Sequence, residues 1–164
     1  METIVTRRGF LRGRLRSAGN ELRPPWALGR DEFEIACDRC AACIEACPTA
    51  ILKPGDGGFP HVDFASGECT FCADCVRACK SGALSVPADA ISPWLLRARI
   101  GDGCLADRGV ECRICGESCG TGAIRFRPRL GGVARPELDS GSCTGCGACY
   151  APCPVRAIAM EMHQ

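Results

Sequence analysis

Four short apolar phrases recur along this chain, each set between polar or turn-forming residues. They are Pro48-Thr49-Ala50-Ile51, Lys80-Ser81-Gly82-Ala83-Leu84, Gly120-Thr121-Gly122-Ala123-Ile124 and Pro154-Val155-Arg156-Ala157-Ile158. Each puts a small residue and a branched aliphatic at nearly the same offset, which reads as one supersecondary unit used four times. The pattern predicts a short helical turn carrying the last Cys ahead of each phrase and a strand following it, as in residues 123–127 and 157–160. Two further stretches, 57–64 and 131–138, open on Gly57-Gly58 and Gly131-Gly132 and alternate afterwards. They read as return arms of β-hairpins. The repeats divide the chain into a module over 31–86 and a second over 100–162. Between them, residues 87–99 carry Pro87, Pro93 and Trp94-Leu95-Leu96, an ordered linker packed at the module boundary. Residues 1–30 lack periodicity and form an N-terminal arm.

Composition limits what can hold this architecture together. The chain has 164 residues, yet only six Phe, two Trp and one Tyr. That is little bulk for a hydrophobic core, and scaffolds of this kind need staples. Charge is uneven. Residues 1–30 hold seven Arg against two acidic residues, and residues 31–164 hold thirteen basic against seventeen acidic. Basic residues in excess only on the arm give little support to nucleic-acid binding. No stretch approaches the length of a transmembrane helix.

The staple is written in the cysteines. Sixteen stand in four groups of four, each group just ahead of one apolar phrase. Cys37, Cys40, Cys43 and Cys47 have the spacing Cys-x2-Cys-x2-Cys-x3-Cys and run into Pro48. Cys143, Cys146, Cys149 and Cys153 repeat it and run into Pro154. Cys69, Cys72, Cys75 and Cys79 keep the spacing but end in Lys80. The third group is stretched, with seven residues between Cys104 and Cys112 before Cys115 and Cys119. A Pro after the last Cys stops the local structure, fixes φ and removes an amide donor. Disulfides do not require one triplet four times, and a zinc site is usually two separated Cys pairs. The spacing is that of bacterial ferredoxins, in which three thiolates and a fourth from the other motif bind each [4Fe–4S] cluster.

Applied to neighbouring motifs, that rule predicts four ligand sets. Site I is Cys37, Cys40, Cys43 and Cys79; site II is Cys69, Cys72, Cys75 and Cys47. Site III is Cys104, Cys112, Cys115 and Cys153; site IV is Cys143, Cys146, Cys149 and Cys119. The regular motifs imply three clusters, and the stretched motif supplies a fourth if residues 105–111 bulge outward while Cys104 still binds. The fold class expected is α+β: two tandem bacterial-ferredoxin-like modules with short hairpins and helices, stabilised by clusters around little hydrophobic core. Metal binding and folding are then coupled. Four clusters, each with about two negative charges, would take the body to roughly −12. So many thiols point to a reducing compartment, the cytoplasm.

Other residues are read more plainly. Trp26, after Pro24-Pro25, packs on the body or contacts a partner. Trp94 reads as a packing residue rather than part of an electron path. Lys80 reads as a solvated surface residue, and His61 and His163 as surface histidines without catalytic partners. Thr6-Arg7-Arg8-Gly9-Phe10-Leu11-Arg12 looks like a twin-arginine signal, but the Gly13-Arg14-Leu15-Arg16 that follows is too polar for an export signal. Arg7, Arg8 and Arg12 would serve a docking arm, on a partner or an anionic membrane surface, or only a solubilising tail. There is no Ser-His-Asp constellation, phosphate loop or dinucleotide fingerprint, so the chain is not expected to be an enzyme.

Residues 6–12, the Arg23-Pro24-Pro25-Trp26 phrase, the four cysteine motifs in this order and Arg127-Pro128 together resemble the NapF family of ferredoxin-type proteins. The resemblance runs essentially end to end. It implies a cytoplasmic accessory protein of the periplasmic nitrate reductase system, whose partner is the immature molybdenum-containing catalytic subunit. It also implies a part in assembling or reducing that subunit's own [4Fe–4S] centre before export. The alternative is an electron-transfer ferredoxin within a nitrate-respiration or other oxidoreductase chain.

Overall fold

The computed structural model describes residues 21–87 and 92–162. Three two-stranded antiparallel sheets carry the fold. In the first half, β1 (Leu52–Pro54) pairs with β2 (Pro60–Val62), Leu52 opposite Val62. Their connection is a 3-10 turn over Asp56–Gly58, in which Gly57 takes a left-handed φ of 63°. In the second half, β4 (Ile124–Arg129) and β5 (Gly132–Leu138) make the expected hairpin. Its register slips between Arg127 and Arg129, where Pro128 has no amide to give to the ladder.

The third sheet corrects the boundary of the linker. Strand β3 (Leu96–Ile100) pairs with β6 (Ile158–Met162), so residues 96–99 belong to the second half rather than to a connection. This pairing joins positions some sixty residues apart, Ile100 opposite Ile158 and Leu96 opposite Met162. The first half closes in a reduced version of the same way, through the bridge between Ala27 and Leu84.

The arm is shorter than expected for the same reason. Residues 21–30 are folded onto the first half, while Arg7, Arg8 and Arg12 lie outside the described residues. The Leu28 amide donates to the Ala83 carbonyl at 3.1 Å, the Ser85 amide to Trp26 at 2.9 Å and the Val62 amide to Leu22 at 2.8 Å. Helix α1 (Arg30–Ala36) follows, with Asp31 and Glu32 in its first turn, where acidic side chains suit the helix dipole. Its Phe33 is fully buried. Arg23 lies over that ring at 4.9 Å and pairs with Glu34 at 2.6 Å.

The remaining helices are single turns: α2 (Ala42–Glu45), α3 (Asp74–Ala78) and α4 (Ile114–Glu117). They carry the third cysteine of their motifs, Cys43, Cys75 and Cys115, rather than the last one. The fourth cysteine comes one or two residues past the helix. The last motif has turns in place of a helix.

Apolar burial is thin and continuous between the halves. Only Phe33, Ile51, Leu52 and Leu96 are large side chains buried almost completely, and no polar or charged side chain is buried among the described residues. Phe64, Trp94 and Tyr150 form the seam between halves, with Phe64 and Trp94 edge to face at 5.9 Å and Phe64 and Tyr150 at 6.3 Å.

Candidate metal centres

The backbone of the regular motifs bends twice around the second cysteine. Arg39 and Ala41 flank Cys40 with φ of 59° and 63°; Phe71 and Ala73 flank Cys72 with 57° and 59°; Gly145 and Gly147 flank Cys146 with 76° and 82°. Left-handed conformations at Arg, Ala and Phe are costly and persist where the surroundings impose them, commonly at ligand sites. They coil the backbone tightly around the second cysteine of each loop. The stretched motif does without this device: Arg113, after Cys112, has φ −130°.

A second device follows the fourth cysteine of all four motifs. The residue three positions on, Ala50, Gly82, Gly122 or Arg156, is left-handed, with φ of 52°, 75°, 64° and 51°. The turn aims later amides back at sulfur. The Leu84 amide donates to Cys79 Sγ at 3.4 Å and the Ala157 amide to Cys153 Sγ at 3.2 Å. A hydroxyl two positions on adds to this in three motifs. Thr49 lies 3.6 Å from Cys47 Sγ, Ser81 3.6 Å from Cys79 Sγ and Thr121 3.5 Å from Cys119 Sγ. In the fourth motif Val155 has no hydroxyl to offer.

These surroundings sort the thiols electrostatically. Burial alone would raise Cys47, but the Thr49 hydroxyl and the amides of Leu52, Ile51 and Thr49 hold it below the usual thiol range. Cys119 is lowered against its burial by Thr121 and by the amides of Ile124, Ala123 and Thr121. Cys79 is lowered likewise by the Leu84 amide and Ser81. The thiols deep in the loops move the other way. Burial, then the charge of Cys37, Cys79 and Cys40, pushes Cys43 up to about 11. Burial, then Cys104, Cys112 and Cys153, pushes Cys115 up to about 11.

Those neighbours are the other members of sites I and III. Sites II and IV appear as concave spaces of about 320 and 310 Å³, each partly open to solvent. The first is walled by Cys47, Cys69, Cys72 and Cys75, with Trp26, Ile51 and Leu52; the second by Cys119, Cys143, Cys146 and Cys149, with Ala98, Ile124 and Met160. Cys47, Cys69, Cys72 and Cys75 thus share one concavity and Cys119, Cys143, Cys146 and Cys149 another, each including one cysteine of the neighbouring motif, while Cys43 and Cys115 have the other members of sites I and III as charge neighbours. All sixteen are free thiols. No three His, Cys, Asp or Glu side chains among the described residues converge on a point for a single ion. Thiolates on one zinc would stand only about 3.8 Å apart. Thiol donors around an apolar concavity, with amides aimed at sulfur, fit a cubane cluster.

Other sequence-predicted residues are placed as follows. Trp26, with φ 59°, is half-buried, donates its amide to Pro93 at 3.0 Å and walls site II. It packs on the body. Lys80 is exposed. His61 is not a surface histidine: it lies half-buried in β2, and its Nδ1 is shielded and unpartnered. His163 lies outside the described residues. The hydroxyls of Thr49, Ser81 and Thr121 went unread in the sequence, although a Ser or Thr two places after the last Cys was the visible signal.

Two stretches, 36–83 and 109–157, match the family model for the 4Fe–4S dicluster domain. Cys104 lies just outside the second. The chain is 48% identical over 166 residues to the ferredoxin-type protein NapF of Escherichia coli K12, covering 98% of this chain and 97% of that one. NapF of Haemophilus influenzae is 43% identical over 167 residues, covering 96% and 94%. The methylamine utilization ferredoxin-type protein MauM of Methylophilus methylotrophus is 34% identical over 183 residues, covering 98% and 79%. An iron–sulfur chain with two dicluster regions and 48% identity to a NapF protein over nearly its full length belongs to the NapF family of ferredoxin-type proteins.

Proposed function

We propose that the chain binds four [4Fe–4S] clusters through sites I to IV and serves as an accessory protein to the molybdenum-containing catalytic subunit of periplasmic nitrate reductase. The two apolar-walled concavities at sites II and IV, with the other members of sites I and III around Cys43 and Cys115, support the ligand assignment. When bound, each cluster supplies one-electron chemistry at a potential set by hydrogen bonds, charge and exposure. The residues of this chain would hold the thiolates, direct amides and three hydroxyls at sulfurs, and wall sites II and IV with apolar side chains. The likeness to NapF proteins supports the partner. Sixteen cysteines and oxygen-sensitive clusters support a reducing compartment, the cytoplasm, where the subunit would be met before export. There the chain would aid assembly or reduction of the subunit's own cluster.

The exposure of Cys40 and Cys72 favours a second reading, electron carriage in a respiratory chain, because ligands at the surface shorten the path to a partner. Deleting the gene and assaying the exported reductase for its cluster and cofactor separates the two. A reductase lacking its cluster supports maturation. A fully assembled reductase short only of electrons assigns the chain to electron supply.

A further inference from the structure

The seam between the halves joins two candidate metal sites directly. The amide of Cys69, a site II residue, donates to the carbonyl of Cys146, a site IV residue, at 2.8 Å. On either side of Cys146, the two glycines lie where no side chain fits. A Cβ on Gly145 would fall on the Leu96 carbonyl and the Trp94 indole nitrogen, and one on Gly147 would fall inside the Phe64 ring. The site IV loop is therefore held against the first half by the Cys69–Cys146 hydrogen bond and by Phe64 packed on Gly147. Cys43 and Cys75 belong to one buried cluster, which joins site I to site II. Cys115 and Cys149 belong to the other, which joins site III to site IV.

Resting on the four-cluster reading above, we propose that the molecule is a single electron wire in the order I, II, IV, III, with the Cys69–Cys146 contact as the junction between sites II and IV. Each transfer moves one electron from a reduced cluster to the adjacent oxidised one. No bond forms or breaks, and the junction needs no proton. A low-potential one-electron donor loads one end, and a one-electron acceptor empties the other. A chain built so can take an electron at one face and deliver it at another, which two unconnected ferredoxin modules cannot do.

The test is magnetic. Full-length protein is prepared without air, its iron counted, and electron paramagnetic resonance recorded after full reduction. Wild type should contain about 16 iron atoms and show spin–spin interaction between halves. That interaction should survive Cys40→Ser or Cys112→Ser, which disable sites I and III, and vanish in Cys72→Ser or Cys143→Ser, which disable II and IV. Because a cysteine variant could empty both sites of its half, Gly147→Val is the second arm. It leaves every thiol in place and forces Phe64 away, so with full iron the interaction should weaken severalfold. Interaction that persists without site II or IV, is absent in a fully loaded wild type, or is unchanged in loaded Gly147→Val overturns the wire. A wild type with far less than about 16 iron atoms overturns the four-cluster reading itself, and the iron count tells the two failures apart.

Discussion

The hydroxyl of Thr121 stands 3.5 Å from the sulfur of Cys119, and in the last motif the equivalent residue is Val155. A hydroxyl donating to a ligand sulfur stabilises the more negative, reduced cluster and so raises its potential. Thr121→Val should lower the potential of site IV by roughly 30–60 mV, about 59 mV being a tenfold change for one electron. Val155→Thr should raise that of site III by a similar amount. Redox titration followed by paramagnetic resonance measures both; shifts of the opposite sign would remove the hydroxyls from any tuning role.

Phe33 is fully buried between the Arg23 guanidinium and the Phe59 ring, whose centroid is 6.1 Å away. It is one of few large side chains that the first half buries. Phe33→Ala should cost about 3–5 kcal/mol and leave a cavity beneath α1. Anaerobic thermal melts of the iron-loaded protein should fall by on the order of 10 °C. A change of a degree or two would mean that the iron sites alone hold this half.

Removing iron should dismantle the fold. All three sheets are two-stranded, and isolated pairs of strands are marginal in water. The metal-free chain should lose most of its far-ultraviolet circular dichroism and its cooperative melt, and regain them on anaerobic reconstitution. A cooperative transition in iron-free protein would falsify the idea that clusters replace a core.

Loading should depend on pH with a definite sign. Burial, then the charge of nearby thiols, pushes Cys75 and Cys149 up to about 12. In a metal-free fold these groups are neutral at pH 7, yet they bind iron as thiolates. Loading therefore expels protons and should rise between pH 7 and 9. Where the metal-free chain is unfolded, its thiols ionise near about 8.5, which gives the same sign: loading gains most between pH 7 and 9. Iron uptake measured across this window should climb; a flat profile would show that the thiols are already ionised before iron arrives.

Spacing and glycine made part of this legible in the sequence. The cysteine motifs announce their chemistry because three thiolates on one tight loop suit few other uses, and Gly57-Gly58 and Gly131-Gly132 mark the two local hairpins. The pairing of β3 with β6 was hidden because it is non-local: nothing near Leu96 states that its partner is Met162. The docking of residues 21–30 was hidden for a like reason, since its bonds run from backbone to backbone and leave no side-chain signature. Left-handed turns could be suspected at Gly145 and Gly147, but Arg39, Ala41, Phe71 and Ala73 adopt them without any residue preference to reveal it.

The stretched motif offers the sharpest test of the ligand assignment. Cys104 lies outside the matched dicluster region, and no left-handed turns flank Cys112. Yet Cys104 is buried, and after burial its charge is the largest influence on the Cys115 thiol. The seven residues between Cys104 and Cys112 are absorbed locally. The Arg108 amide donates to Cys104 at 3.2 Å, the Val110 amide to Leu105 at 2.9 Å, and Asp107 pairs with Arg135 at 3.4 Å. The loop thus closes on itself and leaves the cysteine facing its set. Serine at position 104 keeps the shape but is a poor iron ligand. Cys104→Ser should therefore lose about 4 iron atoms per chain, with one cluster's signal, while the first half keeps its own. An iron count and spectrum equal to wild type would strike Cys104 from the ligands and require another residue to complete site III.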